Sequence, residues 1–202
     1  MIELAPERPP NYDDIVDVWK GAADDDYGKI VRLLILTACR RDEIGSLSWS
    51  EIDREARLIL LPGARTKNGS EHVVPLCDAA LAILDTLDRK GDRDLVFGSG
   101  KGGYSGWSKS KREMDERVKI AEPWTLHDLR RTTRTGMGLL GVEPHVAEAV
   151  LNHLPAKLVR TYDVNRYLPQ KRQALDLWAD HLMRRVNGET SNVVLLRASS
   201  TV

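Results

Sequence analysis

Strongly polar residues interrupt or follow segments that are otherwise apolar and typical of a protein core. Arg40 closes the mostly apolar run 30–39, and Glu43 comes three residues later. His127 and Arg130 are three residues apart in a segment of helical character, so both side chains project from one helical face. Charged groups near buried surface are costly unless they are paired or have a function. These residues are therefore candidates for a functional site, although a single arginine or histidine near a helix end also has an ordinary structural explanation.

Three further residues complete a set that could act on a phosphate. His153 follows the apolar helical segment 146–151, Tyr162 comes nine residues after His153, and Lys67 lies in the turn 66–69. Two arginines can hold phosphate oxygens bidentately, and histidines can donate hydrogen bonds or move protons. A tyrosine phenol can attack phosphorus, and a lysine can protonate the departing alkoxide. Taken alone, Lys67 would be interpreted as a solvated turn lysine.

The elements that must position these residues are helical at both ends of the chain and extended between them. Apolar residues at 30, 33, 34 and 37 predict a helix from about Tyr27 to Arg40, after a first helix that Asn11 caps and that runs to about Lys20. Three short strands at 49–53, 57–61 and 71–76 predict a small antiparallel sheet, and their short connections permit a meander. Helical patterns return at about 78–87, 108–120, 126–140, 143–151 and 170–183.

The composition suits one soluble globular domain. The 202 residues include 30 Lys+Arg, 30 Asp+Glu and 42% hydrophobic residues. Residues 1–30 carry eight acids and three bases, so the remainder has a net charge of +5, which is compatible with a polyanionic partner but does not require one. No apolar run approaches the ~20 residues of a membrane span. The only two cysteines, Cys39 and Cys77, exclude a disulfide framework and predict reduced core residues in a cytoplasmic protein.

The sequence carries none of the common cofactor or metal motifs. The glycine-rich loop 98–103 invites comparison with a phosphate-binding P-loop, but Leu95 replaces the first glycine and Gly102 replaces the magnesium-binding hydroxyl. A surface loop is the better interpretation. There is no Gly-x-Ser-x-Gly elbow, no His-Glu-x-x-His helix and no dinucleotide fingerprint after a strand. We therefore expect neither a metal nor a cofactor.

Four motifs, in order, resemble those of the catalytic domain of the tyrosine recombinase (phage integrase) family. They are TACRRDEI at 37–44, TKNG at 66–69 with VVPL at 73–76, HDLR at 127–130, and LNH at 151–153 with TYD at 161–163. The separations of 23 residues from Arg130 to His153 and nine from His153 to Tyr162 also agree. Departures are few: Ala38 and Cys39 stand where Gly and Leu are commoner, and Asn152 stands where Gly is common. The similarity covers roughly residues 10–186.

The resemblance implies a mostly helical α+β fold with a small three-stranded antiparallel sheet, and site-specific recombination of double-stranded DNA without metal or cofactor. Tyr162 would attack a DNA phosphate and form a 3′-phosphotyrosyl link. The resemblance assigns the other roles as follows: charge neutralisation to Arg40 and Arg130, protonation of the leaving 5′ oxygen to Lys67, assistance in proton transfer to His127, a hydrogen bond to a phosphate oxygen to His153, and orientation to Glu43 through His127 or Arg40. Tyr167, a rival nucleophile, misses the expected spacing by five residues.

The resemblance also implies an organisation and partners. Residues 1–186 would form the catalytic domain, 187–202 a tail that is flexible or packs in trans through Val193–Leu196, and the family's N-terminal DNA-clamping domain would be absent. We expect a monomer alone, a homotetramer on two DNA duplexes, and no membrane association. Two alternatives stay open: relaxation of DNA in the manner of a type IB topoisomerase, and a non-catalytic remnant that only binds DNA.

Overall fold

A computed structural model describes residues 13–153 and 167–189. Within these residues the helices and strands follow the predicted order, with one short helix added. The helices are α1 (Ile15–Gly21), α2 (Asp26–Thr37), α3 (Arg41–Gly45), α4 (Asp78–Asp85), α5 (Trp107–Val118), α6 (Leu126–Leu139), α7 (Pro144–Val150) and α8 (Leu168–Val186). The strands are β1 (Ile52–Asp53), β2 (Leu58–Leu61) and β3 (His72–Pro75). The helix start predicted at Asn11 lies outside the described residues.

The three strands form an antiparallel meander in the order β1-β2-β3, which confirms the predicted sheet. Leu61 pairs with His72 and Leu58 with Pro75, so the connection 62–71 forms a hairpin that carries Lys67 at its exposed end. All four residues of β3 are buried, because the strand pairs with β2 and also packs under α8. The first strand is shorter than predicted, since residues 49–51 form a 3-10 turn. The Glu51 carboxylate caps the start of this turn by accepting a hydrogen bond from the Ser48 N–H.

The core is built around α2, which packs against α4, α6 and α8. Its residues are buried on every side, and this explains the nearly continuous apolar sequence of the helix. Trp178 of α8 donates a hydrogen bond to the Ile35 carbonyl at 2.8 Å and lies over Gly136 of α6. A Cβ atom on Gly136 would stand 2.1 Å from the Trp178 ring, so the absence of a side chain there permits the close approach of α6 and α8.

The predicted end of α2 was wrong, because the helix stops at Thr37 and does not reach Arg40. Ala38 adopts a left-handed conformation with φ 53°, and Cys39 donates its N–H to the Thr37 hydroxyl at 3.3 Å. Arg40 then begins α3 from an extended conformation. The break turns the chain through a corner and brings the Arg40 side chain to the edge of the core. A continuing helix would have placed this side chain elsewhere.

The glycine-rich loop turns backbone carbonyl groups inward, whereas a phosphate-binding loop turns N–H groups inward. Arg93 donates hydrogen bonds to carbonyl oxygens around the loop, at Leu95, Phe97, Gly98, Gly100 and Gly102. A P-loop instead points backbone N–H groups inward at its anion. The inward-facing carbonyls therefore support the interpretation as a structural surface loop.

Both cysteines are free and buried, as predicted. No helix in the part of the chain that the structure describes combines the length and apolar character needed to cross a membrane.

Candidate active site

The start of α6 sets His127 and Arg130 one helical turn apart. Asp128 caps this start by accepting hydrogen bonds from the Thr125 N–H at 2.9 Å and the Thr125 hydroxyl at 2.8 Å. His127 remains exposed in the first turn, whereas Arg130 is only 2% exposed. Partial burial, and then the positive charge of Arg130, lowers the pKa of His127. The His127 imidazole is therefore neutral near pH 7 and able to accept a proton.

Arg130 is fixed by carbonyl groups from two distant corners of the fold. Its guanidinium donates to the Ala38 carbonyl after α2 and to the Leu151 carbonyl after α7. Its Nη2 also lies 3.3 Å from Nε2 of His153. Burial, followed by the nearby positive charge of Arg40, lowers the pKa of Arg130 to about 10. Two like charges held near each other in a partly buried place favour an anion between them.

Arg40 is held by Glu43, the residue expected to orient it. The Arg40 guanidinium donates to one Glu43 carboxylate oxygen at 2.9 Å, and the Arg40 backbone N–H donates to the other at 2.7 Å. Glu43 is 3% exposed, so this charge-assisted pair is largely shielded from water. Of the two partners predicted for Glu43, the structure selects Arg40.

His153 has a partner that the sequence did not reveal. Its Nδ1 lies 2.6 Å from the Glu148 carboxylate, which also accepts from Arg134 at 3.1 Å. Burial opposes ionisation of Glu148, but the hydrogen bonds from His153 and Arg134 lower its pKa, so it is a carboxylate at neutral pH. A carboxylate only accepts hydrogen bonds, so Nδ1 carries a proton in this contact. The other ring nitrogen, Nε2, faces Arg130. Five residues separate Glu148 from His153, and only the turn after α7 brings them together.

Three successive carbonyls at the end of α7 hold separate parts of the site. The Val150 carbonyl accepts from His72 Nε2 on β3 at 3.0 Å, and the Leu151 carbonyl accepts from Arg130. The Asn152 carbonyl accepts from the Asn68 side chain in the hairpin at 2.7 Å. Helix ends leave carbonyls without intrahelical partners, and here side chains from three other elements supply the donors.

The remaining predicted residues are placed less tightly. Lys67 is exposed at the hairpin turn, next to Asn68, and the described contacts do not bring it against the arginines. Tyr162 lies outside the described residues. Tyr167 caps the start of α8, and its ring centroid lies 5.2 Å from that of His145 near the start of α7. His145 lies at the start of α7 and His153 follows its end, so this contact places Tyr167 at the opposite end of α7 from His153.

A buried polar cluster lies under the arginines and contains the best candidate ligands for a metal. Cys39, Glu43 and His72 each offer one ligand atom, and these atoms lie within 4.8 Å of one another. Both Glu43 oxygens are already bonded to Arg40, however, and burial followed by the Glu43 charge raises the pKa of Cys39 to about 12. Lys171 of α8 is close enough to Cys39 and His72 to affect both of their pKa values. A protonated thiol beside a lysine suits a polar core cluster better than a cation site.

Lys171 is the second important residue that sequence reasoning missed. It is 6% exposed and donates to the Val73 carbonyl, which ties α8 to β3 below the hairpin. Burial lowers the pKa of Lys171 to about 8, and burial together with Lys171 lowers that of His72 to about 3. A lysine within a helix that also carries Arg172, Arg184 and Arg185 gives no sequence signal of its burial.

The fold and the paired arginines define a helical domain that can hold an anionic group. The sequence profile of the Phage integrase family matches residues 10–195, and the chain belongs to this family. This result confirms the resemblance carried by the four motifs, and with it the predicted mostly helical α+β fold class.

Known proteins agree with this family assignment. The prophage integrase IntA of Escherichia coli K12 is 34% identical over 149 residues, which cover 72% of this chain and 36% of that protein. The chain thus spans little more than a third of the length of this relative. The fold is similar to that of an integrase from mycobacterium phage Brujita, with a TM-score of 0.69 and 16% identity over 100% of this chain and 63% of the other. It is also similar to the Tn1549 transposon integrase, solved with circular intermediate DNA, with a TM-score of 0.52 and 15% identity over 73% and 56% of the two chains.

Proposed function

We propose that this chain is the catalytic domain of a site-specific DNA recombinase that cuts and rejoins strands through a 3′-phosphotyrosyl intermediate. The observation that carries this proposal is the convergence of Arg40, Arg130 and His153 from three separate helix ends. Arg130 is buried and bonded to backbone carbonyls, and Arg40 is paired with the buried Glu43, so the two guanidinium charges are held in place, which suits stabilisation of a pentavalent phosphate.

The chemical step follows from the placement of the groups. The Tyr162 oxygen attacks phosphorus, the bond to the 5′ oxygen breaks, and Lys67 gives its proton to that oxygen. Neutral His127 accepts the tyrosine proton or relays it, while Arg40 and Arg130 neutralise the phosphate oxygens. A protonated Nε2 of His153 donates to a phosphate oxygen in place of its contact with Arg130, while Glu148 holds Nδ1. The link conserves the free energy of the phosphodiester, so neither a metal nor a nucleotide is required by the reaction.

The position of Tyr167 favours Tyr162 as nucleophile. Tyr167 packs on His145 at the start of α7, whereas His153 follows the end of that helix. Tyr162 belongs to the segment that joins the His153 turn to α8, and its separation of nine residues from His153 agrees with the family motif.

We further propose the organisation and partners that the family suggests. Double-stranded DNA is the substrate, consistent with the DNA complex of the Tn1549 integrase. The chain would be a monomer alone and a homotetramer on two duplexes, acting in the cytoplasm near the nucleoid. Residues 1–186 would form the catalytic domain and 187–202 a tail that packs on a neighbouring copy.

A covalent-adduct assay tests the proposal. The wild-type chain, Tyr162→Phe and Tyr167→Phe are incubated with nicked and supercoiled DNA in excess chelator and quenched with detergent. We expect a protease-sensitive protein–DNA adduct with the wild type and Tyr167→Phe, and none with Tyr162→Phe. An adduct that persists in Tyr162→Phe would overturn the assignment of the nucleophile. DNA carrying two sites separates recombination from relaxation, because only a recombinase yields exchanged products.

A further inference from the structure

We propose that Asn68 and Asn152 form a clasp that positions Lys67 for proton donation before DNA binds. The inference rests on the proposed function, since it assigns a positioning role toward the leaving 5′ oxygen. The clasp joins two segments that are 84 residues apart, the hairpin that carries Lys67 and the turn that carries His153.

The orientation of the Asn68 amide follows from its neighbours. Its oxygen accepts from the Ser70 backbone N–H at 3.2 Å and lies 3.1 Å from the Thr66 hydroxyl oxygen. A backbone N–H only donates, so the oxygen must face Ser70 and the amide nitrogen must face away. That nitrogen lies 2.7 Å from the Asn152 carbonyl, which only accepts. One side chain therefore closes the hairpin turn with its oxygen and anchors it to α7 with its nitrogen.

Asn152 strengthens the same connection from the other side. Its amide nitrogen lies 3.4 Å from both the Asn68 oxygen and the Ser70 carbonyl. Asn152 is 5% exposed and has φ 49°, a left-handed conformation that asparagine tolerates better than most residues. Glycine, common here in the family, would fit the backbone but would provide neither contact. Asn152, in place of the glycine common in the family, thus adds side-chain contacts at a position that otherwise requires only a left-handed backbone.

The clasp matters because no hydrogen bond or ion pair within residues 13–153 and 167–189 holds the Lys67 side chain. Lys67 is exposed, and it is adjacent to Asn68 as His153 is adjacent to Asn152. Consecutive Cα atoms are 3.8 Å apart, so a hydrogen bond between Asn68 and Asn152 keeps the lysine and histidine backbones close. Proton donation to a departing oxygen depends on position as well as on acidity. Without the clasp, the hairpin would sample positions in which Lys67 cannot reach the oxygen.

A change of leaving group isolates this role. In the normal step the bond from phosphorus to the 5′ oxygen breaks, and Lys67 supplies a proton to the alkoxide. When sulfur replaces that oxygen, a thiolate departs without needing a proton, because a thiol has a pKa of about 8.5. Loss of Lys67, or of its position, should therefore slow cleavage of the oxygen substrate and not that of the sulfur substrate.

The main variant is Asn68→Asp, which keeps the oxygen that closes the turn and replaces the donor toward Asn152 by a second oxygen. The full chain is tested on a duplex that carries the cleavage sequence mapped from wild-type adducts, with 5′ oxygen or 5′ sulfur. We expect cleavage of the oxygen substrate to fall about tenfold, the equivalent of one to two net hydrogen bonds, and that of the sulfur substrate to stay within about twofold. Lys67→Ala should show the same pattern with a larger loss.

Controls separate the clasp from added charge. Gln173→Glu makes the same change from amide to carboxylate at an exposed position on α8 and should leave both rates unchanged. Asn152→Gly keeps the left-handed backbone and should show a weaker form of the Asn68→Asp pattern. Equal losses on both substrates in Asn68→Asp, or no loss on either, would overturn the positioning role.

Hydrogen exchange of the DNA-free chain tests the clasp independently of activity. Backbone amides of residues 63–71 should exchange about fivefold faster in Asn68→Asp than in the wild type, as expected for about one net hydrogen bond, while those of α2 should not change. Unchanged exchange in the hairpin would refute the clasp itself. Faster exchange with no adduct from the wild-type chain would instead count against the proposed function.

Discussion

The arginines and the residues that we propose as proton carriers, Lys67 and His127, lie in contrasting surroundings. Arg130 is 2% exposed, and Arg40 pairs with the buried Glu43. By contrast, Lys67 and His127 are exposed. The first group is bonded to backbone carbonyls and a carboxylate, whereas the second faces the surface that DNA would cover.

This difference matches the separate demands of the two tasks. Stabilising charge on phosphorus needs fixed cations in a medium of low dielectric, where they do not have to reorganise during the reaction. Moving protons needs groups that change their protonation state, which burial would oppose. The clasp between Asn68 and Asn152 is the place where the two regions are joined.

The largest effect is expected from Arg130→Ala, which empties the centre of the buried region. Two backbone carbonyls would lose their donors, so we expect the free energy of unfolding to fall by about 3 kcal/mol. Cleavage should fall by roughly a thousandfold, as for loss of a preorganised charge-stabilising donor. Denaturant unfolding and single-turnover cleavage measure the two losses.

Arg131→Ala is the matched control on the same helix. Its side chain is 55% exposed and contacts Asp128 at 3.3 Å, so stability should change by no more than about 0.5 kcal/mol. Similar losses of stability in both variants would mean that burial does not distinguish these two arginines.

An intermediate effect is expected from Glu43→Gln, which keeps the shape of the buried partner but removes its charge. One of the two bonds from Arg40 would face an amide nitrogen, and the cost should be about 2 kcal/mol of stability. A less well oriented Arg40 should slow cleavage by about tenfold. Glu51→Gln changes a carboxylate that caps the next turn in the same way, so it should lose stability without slowing cleavage. Slowing of equal size in both variants would argue against a specific role for Glu43.

The smallest effect concerns the pH dependence of folding through Lys171. Burial holds the pKa of Lys171 near 8, against 10.5 for the free side chain, so the unfolded state binds more protons between these values. Stability contributed by this residue should therefore rise as pH rises through that window, and the penalty for burying its charge is fully present below pH 8.

Lys171→Met removes this slope. Between pH 8 and 9.5 the wild type should gain on the order of 1 kcal/mol relative to Lys171→Met, measured by denaturant unfolding at each pH. Lys20→Met, at an exposed position on α1, should follow the wild type. Parallel curves for wild type and Lys171→Met would show that Lys171 is not buried as a charge.

Much of the local structure was predictable, and the misses have physical causes. The three strands, the helix that carries His127 and the helix that precedes His153 were predicted because alternating or helical apolar spacing reports which face is buried. The end of α2 was misplaced because the apolar pattern continues through Ala38 and Cys39 after the backbone has left the helix. Those two residues face the core from a corner, and hydrophobic periodicity cannot distinguish a corner from one more helical turn.

The residue types at the site were also accessible, whereas their partners were not. Arg40 and Glu43 are neighbours on the chain, so their pairing was foreseen as one of two options. Glu148 and Lys171 were missed because a charged residue on a helix usually faces solvent.

The sequence by itself determined the local elements, the family and the candidate chemical groups, because these depend on spacing along the chain. Only the tertiary structure decided what holds those groups. Arg130 reaches a carbonyl 92 residues away, Lys171 one that is 98 residues away, and Asn68 one that is 84 residues away. Each bond exists because packing of the core brings a backbone carbonyl beside a donor from a distant element, and polar side chains carry no periodic signal of such distant partners.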